Sequence, residues 1–207
     1  MKGSLHTDEL MAAIVPSTTG LRTARRISHV FVMDVPTYPR LLFVTDAAVN
    51  IFPTLDDKVD IVQNAIDLAR TLGIEKPKVA VLSALEMVTS KIESTLHAAA
   101  LCKMADRGQI TGGEIDGPLA FDNAISVHAA KAKKIASSVA GRADILLVPD
   151  LEAGNMMAKQ LQYLVDNPDR IADACEEILR YNTAFIAMRR TAMQDVDLAG
   201  QQIRKGD

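Results

Sequence analysis

The residues with the clearest chemical potential are polar side chains that stand where short apolar segments end. Ile145–Val148 is an unbroken apolar run, typical of a strand buried on both faces, and Pro149 and Asp150 follow it. Gly154 and Asn155 then open an amphipathic segment, so the stretch predicts a strand, a polar loop and a helix. Ligands of open α/β sheets bind beyond the carboxyl ends of the strands, where a helix N-terminus offers free N–H groups to an anion. An ordinary strand-to-helix connection explains the same residues, and both interpretations stay open here.

The same placement recurs along the chain. A carboxylate or a hydroxyl stands near the end of several predicted strands, at Asp46, Ser83, Asp116 and Asp150. The carboxyl ends of parallel strands meet at one edge of a sheet, so we expect these groups to converge there. Four such groups predict a polar cleft without specifying its chemistry.

A basic cluster, Arg22, Arg25 and Arg26, comes directly before the predicted strand His29–Val32. Charged runs are usually solvated faces of a protein. The position next to a strand also allows these arginines to act as phosphate ligands, so this less common interpretation stays open beside the first.

Composition and charge exclude several classes of protein. The 207 residues carry a formal net charge of −3, which argues against a nucleic-acid or anionic-membrane binder. No apolar run reaches the roughly 20 residues of a membrane-spanning helix, and the first residues lack a signal-peptide core. Cys102 and Cys175 are far apart and the four histidines are scattered, so we expect no metal site and a cytoplasmic location. Neither a glycine-rich phosphate loop nor a GxSxG nucleophile elbow is present.

Apolar strand-like runs alternate with helical patterns along the chain. Strands are predicted at His29–Val32, Leu41–Thr45, Val79–Leu82, Ile110–Ile115 and Ile145–Val148, with turns at Pro36–Pro39 and Asp116–Leu119. Helices are predicted at Leu10–Val15, Asp56–Gly73, Ile92–Arg107, Asn123–Val139 and from Gly154 onward. This alternation predicts an α/β fold with a mostly parallel sheet covered by helices on both faces.

Four long motifs together carry a family resemblance. They are KGSLHTDEL (Lys2–Leu10), TDAAVNIFP (Thr45–Pro53), DGPLAFDNAIS (Asp116–Ser126) and VPDLEAGNMMAKQL (Val148–Leu161). In this order and spacing they resemble the phosphate acetyltransferase/phosphate butyryltransferase family over about residues 1–165. The resemblance implies reversible transfer of an acyl group between coenzyme A and inorganic phosphate, by direct attack in a ternary complex. It also implies one lobe of a two-lobed α/β enzyme with an interlobe cleft, a homodimer, and neither a metal nor a tightly bound cofactor.

The resemblance assigns candidate residues to that cleft. Gly3, Ser4, His6 and Thr7 match the small polar loop of the family, a candidate for contacting phosphate or the acyl group. Asp150 and Asn155 match the PDLxAGN motif, which lines the cleft from the other lobe. Arg22 and Arg25 are the candidate anion ligands in the segment between the lobes. A site of this kind must bind dianionic phosphate, polarise a thioester carbonyl and handle a thiol proton with a carboxylate.

The remaining part of the chain differs from the family. Family members begin well upstream of Lys2, and after the helix Met156–Val165 they continue into a strand with a Ser-Arg pair and a nearby Asp. Here the segments Cys175–Phe185 and Met188–Asp207 resemble the ExxR helix and following β region of bacterial cytochromes P450, with Glu177 and Arg180 in the ExxR positions. Cys175 precedes this pair and does not occupy the haem-ligand position, so no haem is expected. We therefore divide the chain into an incomplete acyltransferase-like domain, 1–165, and a P450-like segment, 166–207, predicted as a helix followed by a hairpin or loosely ordered chain.

Two functions follow from the sequence. The first is a phosphate acyltransferase that uses acyl-CoA and inorganic phosphate. The second is a non-catalytic α/β domain that binds coenzyme A or serves in assembly, and a P450-related fragment without haem is a distant third. The sequence does not indicate the length of the acyl chain.

Overall fold

The computed structural model of the protein describes residues 4–167, 196–198 and 201–203. The chain divides into two compact units, Met1–Val165 and Asp166–Asp207. In the second unit, the strands Val196–Leu198 (β6) and Gln201–Ile203 (β7) pair antiparallel. None of the helices in these described ranges is both long and apolar enough to cross a membrane.

The first unit is built on a five-stranded sheet. In chain order its elements are α1 (Thr7–Ile14), β1 (Val30–Met33), β2 (Leu42–Thr45), α2 (Leu55–Thr71), β3 (Lys78–Leu82), α3 (Glu93–Asp106), β4 (Glu114–Leu119), α4 (Phe121–Ile125), α5 (Val127–Ala132), β5 (Ile145–Leu147) and α6 (Leu151–Asp166). The spatial order of the strands is β1-β2-β5-β3-β4. β1 pairs antiparallel with β2, and all other pairings are parallel. The carboxyl ends of β2, β5 and β3 therefore lie side by side at one edge.

Helices cover both faces of the sheet, as the sequence predicts. On one face, Phe43, Ile145 and Leu147 pack with the apolar sides of α2 and α3. On the other face, Val44 and Leu146 pack with residues of α4, α5 and α6. Alternate residues of one strand point to opposite faces, so two buried faces produce the continuous apolar runs seen in the sequence.

Local signals explain the bounds of α2. The Thr54 hydroxyl accepts a hydrogen bond from the Asp57 N–H at 3.2 Å, and the Asp57 carboxylate accepts one from the Thr54 N–H at 2.9 Å. This capping box starts the helix at Leu55, just before the predicted start at Asp56. Gly73, with a φ of +95°, follows the helix end in the left-handed conformation that glycine adopts without strain.

The expected turn at Asp116–Leu119 is wrong, because those residues belong to β4. The predicted strand Ile110–Ile115 is correspondingly displaced, and only its last residues lie in β4. Gly117 makes the longer strand feasible, since a Cβ there would lie 2.7 Å from the Val81 carbonyl oxygen of the neighbouring strand. Pro118 is tolerated because β4 is an edge strand, where a missing N–H costs little.

The continuous helix predicted over Asn123–Val139 is also wrong. The backbone is extended at Ser126, with φ −116° and ψ 114°, which separates α4 from α5. The Ser126 side chain accepts a hydrogen bond from the Ala129 N–H at 3.2 Å and so caps α5. The apolar spacing continues across the break, which is why periodicity alone misses it.

Gly154 allows α6 to pack closely against the ends of β2 and β5. A Cβ at this position would lie 2.6 Å from Val148 Cγ2 and 3.0 Å from the Asp46 carbonyl oxygen. We expect Gly154→Ala to lower the free energy of unfolding by about 1–3 kcal/mol, because this clash exceeds the helix-propensity gain of about 1 kcal/mol. Urea denaturation would measure the change, with the exposed neighbour Glu152→Ala as the control. A Gly154→Ala protein more stable than the wild type would contradict the close approach.

Candidate active site

The loop that follows β2 is organised by one buried carboxylate. Asp46 is 3% exposed, and its side chain accepts hydrogen bonds from the N–H groups of Ala48, Val49 and Asn50 at 2.9, 3.0 and 3.1 Å. The Asn50 side-chain amide donates a further bond at 2.6 Å. Four donors converging on one carboxylate fix the backbone of this loop at the carboxyl edge of the sheet.

The start of α6 lies against the same loop. The helix begins at Leu151, earlier than the predicted Gly154, because Asp150 Oδ1 accepts a hydrogen bond from the Ala153 N–H at 2.9 Å and caps the helix. The Asn155 side chain donates to the Ala47 carbonyl oxygen at 3.0 Å, and the Leu151 N–H donates to the Ile51 carbonyl oxygen at 3.0 Å. Asp150, at the start of α6, and Asn155, in its second turn, are both half-buried and stand beside the loop that follows β2.

A cavity of about 820 Å³ lies between the basic segment, the end of α1 and one side of α2. Arg22 and Arg25 both line it, together with Asn50 of the loop after β2. Arg25 is engaged elsewhere, since its guanidinium lies 2.6 Å from the Asp67 carboxylate. Within the described residues, Arg22 makes no hydrogen bond or ion pair, so it is the guanidinium available to an anion.

Arg26 connects the basic segment to the sheet edge, a role that the sequence did not suggest. Its Nε donates to Asn50 Oδ1, its Nη1 lies 3.0 Å from Asp57 Oδ1, and its backbone N–H donates to Asp60 at 2.8 Å. Two acidic residues on one side of α2 thus hold the segment in place. Their spacing, Asp57 and Asp60 opposite a basic run, is the only sequence signal that could have identified the contact.

The small polar loop at the start of the chain makes no polar contact with the start of α6 among the described residues. Ser4 and His6 are exposed, and the His6 N–H donates to the Glu9 carboxylate at 3.0 Å. Thr7 is the first residue of α1, and Gly3 lies outside the described residues. No hydrogen bond or ion pair among residues 4–167 joins Ser4 or His6 to Asp150 or Asn155. The end of α1 does reach the cavity, which Ile14 and Val15 line beside Arg22.

The predicted convergence of strand-end groups holds for three of the four. Asp46 follows β2, Asp150 follows β5 and Ser83 follows β3, where its hydroxyl lies 2.8 Å from the Ser94 hydroxyl. Asp116 is the exception, because it lies within β4, opposite Ala80. It does not belong to the strand-end group.

A polar cluster between α2 and α3 escaped the sequence analysis. Lys58 is 4% exposed, and its Nζ lies 3.1 Å from His97 Nδ1. His97 Nε2 in turn lies 3.6 Å from Glu93 Oε1. Burial lowers the pKa of Lys58, and the charges of Glu93 and Asp150 oppose that shift. The available signal was a lysine at helical spacing with Ile61, Val62 and Ala65 on the buried face of α2.

His97 is expected to make stability depend on pH. Burial and then the charge of Lys58 lower the pKa of His97, so the imidazole of the folded protein stays neutral below its ordinary value of 6.5. The unfolded chain binds the proton first, so stability falls as the pH drops below about 6.5 towards the folded-state pKa. The difference in unfolding free energy between wild type and His97→Gln should therefore shrink on acidification from pH 7 in denaturation experiments. A constant difference across that window would contradict the assigned environment, with exposed His128 as the control site.

No group of three or more His, Cys, Asp or Glu side chains suited to a metal ion occurs in the described part of the chain. The groups that are present suit another chemistry. They comprise an available guanidinium, a carboxylate at a helix start, an amide and a buried lysine, near the carboxyl ends of neighbouring strands. Such groups bind anions and transfer protons.

Comparison with known proteins identifies the family of the chain. The family model for phosphate acetyl/butaryl transferase matches residues 1–168, and the chain belongs to this family. The chain is 68% identical over 164 residues to a phosphate acetyltransferase of Rhizobium meliloti, covering 79% of this chain and 52% of that protein. It is 52% identical over 163 residues to a probable phosphate butyryltransferase of Bacillus subtilis, covering 79% and 54%.

Solved structures show the same fold. A branched-chain phosphotransacylase from Enterococcus faecalis V583 superposes with a TM-score of 0.71 at 33% identity, covering 80% of this chain and 59% of that one. A phosphotransacetylase from Streptococcus pyogenes gives a TM-score of 0.62 at 27% identity, covering 78% and 49%. The chain thus spans about half the length of the curated relatives it matches.

These comparisons do not support the P450-like interpretation of residues 166–207. Glu177 and Arg180 lie outside the described residues, and the family match ends at residue 168. The acyltransferase resemblance accounts for the first unit alone.

Proposed function

We propose that this chain carries part of the site of a phosphate acyltransferase, which converts acyl-CoA and inorganic phosphate into an acyl phosphate and coenzyme A. The observation that carries the proposal is the joint placement of Asp150, Asn155 and the loop 46–51 at one sheet edge, in a chain of this family. Asn50 belongs to that loop and also lines the cavity that holds the free guanidinium of Arg22.

The chemistry assigns a role to each group. Arg22 binds the dianionic phosphate, whose oxygen attacks the thioester carbonyl; a C–O bond forms and the C–S bond breaks. The Asp150 carboxylate takes up the proton that the attacking phosphate loses and passes it to the departing sulfur. In the reverse direction it accepts the proton from the thiol of coenzyme A and returns it to phosphate. Asn155 fixes the helix start that carries Asp150. By the family resemblance, Ser4, His6, Thr7 and Gly3 supply the small polar loop that contacts phosphate or the acyl group.

Further properties follow from the family and are part of the proposal. Coenzyme A and phosphate act as substrates, with no resident cofactor and no metal in the chemical step. The protein acts as a homodimer in the cytoplasm, a location supported by two cysteines far apart in the sequence. The acyltransferase domain comprises residues 1–165.

One observation favours a second function, a non-catalytic α/β domain for binding coenzyme A or for assembly. Ser4 and His6 are exposed and unconnected to Asp150 among the residues that the structure describes. A half-cleft of this kind retains ligand affinity while the reacting groups stay too far apart for turnover.

Two measurements on the same preparation separate these functions. In the first, acyl-CoA breakdown is followed with arsenate in place of phosphate, because acyl arsenates hydrolyse and make the reaction irreversible. In the second, thermal unfolding is followed during titration with coenzyme A and with phosphate. Binding at about 100 times the dissociation constant adds about 2.7 kcal/mol of stability. Arsenate-dependent turnover supports the acyltransferase, and stabilisation without turnover supports the binding domain. If neither turnover nor stabilisation is observed, both functions are excluded.

A further inference from the structure

A buried lysine at the carboxyl edge of the sheet has more hydrogen-bond donors than acceptors. The ammonium of Lys58 has three N–H donors, and His97 Nδ1, at 3.1 Å, accepts one of them. Among residues 4–167 no second hydrogen-bond acceptor and no ion-pair partner contacts Lys58 Nζ, so two of its donors have no acceptor in that part of the chain. Because the residue is only 4% exposed, bulk water replaces few of these missing hydrogen bonds.

The position of Lys58 further raises the free-energy cost of burying its charge. It lies in the first turn of α2, where the partial positive charge of the helix N-terminus disfavours a cation. Its partner His97 is on the second turn of α3, so the amino-terminal parts of both helices face this ammonium. A methionine or leucine would fill the same place without these penalties, which indicates that the charge has a use.

The neighbouring carboxylates compensate the charge only in part. Glu93 and Asp150 lie close enough to favour the charged form of Lys58. However, the Glu93 side chain is 83% exposed and therefore screened by solvent, and Asp150 Oδ1 already accepts the Ala153 N–H. Neither group supplies the missing acceptors. The two remaining donors of Lys58 are therefore available to an oxygen atom from outside residues 4–167.

We propose that the ammonium of Lys58 binds a phosphoryl oxygen beside Asp150, supplied either by inorganic phosphate or by coenzyme A. The proposal deepens the acyl-transfer function and rests on it, since that reaction brings two phosphate-bearing substrates to this edge. Neutral His97 holds the lysine in place because its Nδ1 accepts a hydrogen bond from the ammonium. Asp57 and Asp60 of the same helix line the cavity of Arg22, whereas Lys58 faces α3, so the two cations form separate anion sites.

Ligand binding by the full chain tests the proposal. Affinities for inorganic phosphate, coenzyme A and phosphate-free pantetheine are measured by calorimetry for wild type, Lys58→Met and Lys58→Arg. Lys103→Met, a change of the same kind at an exposed site on α3, serves as the control. We expect Lys58→Met to weaken binding of one phosphate-bearing ligand by about 10- to 100-fold, with partial retention in Lys58→Arg and no change in Lys103→Met.

The outcomes are distinct. Loss of phosphate affinity identifies inorganic phosphate as the ligand, and loss of coenzyme A affinity with pantetheine binding unchanged identifies a coenzyme phosphate. Unchanged affinities in Lys58→Met, or an equal loss for pantetheine, overturn the proposal. If Lys58→Met does not fold, the wild type is titrated with phosphate and with coenzyme A while the NMR resonances of the His97 imidazole are followed. A saturable shift with one of these ligands supports the proposal, and no shift with either contradicts it. Turnover of the wild type is assayed separately, so Lys58-dependent binding without turnover would remove only the proposed acyltransferase function.

Discussion

Replacing Asp46 with alanine is expected to destabilise the protein by about 3 kcal/mol, a large effect for one side chain. The carboxylate is the common acceptor for the N–H groups of Ala48, Val49 and Asn50 and for the Asn50 amide. Asp46 and Asn50 are 3% and 4% exposed, so solvent cannot readily replace the lost acceptor. Urea denaturation at neutral pH measures the change.

Two further variants separate the carboxylate's hydrogen bonds from its charge. Asp46→Asn keeps one acceptor oxygen in nearly the same place, so we expect a loss intermediate between wild type and Asp46→Ala. Asp56→Ala removes an exposed carboxylate further along the chain and should change stability by less than about 0.5 kcal/mol. An Asp46→Ala protein as stable as Asp56→Ala would contradict the role given to this loop.

The substitution Asp150→Asn is expected to abolish most turnover while leaving the fold intact. Asparagine caps a helix N-terminus about as well as aspartate, so α6 should still begin at Leu151. It cannot exchange a proton with the sulfur of coenzyme A, and loss of a general acid–base group typically costs about 10²–10⁴ in rate. The arsenate assay would show this as a fall in kcat with KM for acyl-CoA little changed.

Asp150→Ala provides the matched comparison. It removes both the proton-transfer group and the cap, so it should lose turnover and also about 1 kcal/mol of stability. If Asp150→Asn turns over at the wild-type rate, Asp150 acts only as the cap of α6. The proton transfer would then belong to another group.

The parts of the fold that the sequence predicts are those set by local physical signals. β2 and β5 are readable because both of their faces are buried, and α2 because Thr54 and Gly73 mark its ends. β4 is not readable, because Gly117 and Pro118 usually indicate a turn. Only the contact of Gly117 with Val81 shows why a strand continues there.

The site is predictable where a motif and a secondary-structure boundary coincide. Asp150 and Asn155 lie on the strand-to-helix connection, where Asp150 accepts the Ala153 N–H and Asn155 donates to the Ala47 carbonyl oxygen. Lys58 and His97 are far apart in the sequence, and only the packing of α2 on α3 makes them neighbours. Arg22 and Arg25 look equivalent in the sequence, and only the position of Asp67 on α2 distinguishes the free guanidinium from the paired one.

A crystal structure of this chain with coenzyme A and phosphate tests the central claim, that the carboxyl edge of the sheet and the adjoining cavity form one wall of an acyl-transfer site. The account predicts coenzyme A along that edge, with its sulfur near Asp150 and an anion against Arg22. Coenzyme A bound on another surface, with Asp150, Asn155 and Arg22 all free of ligand, would contradict it.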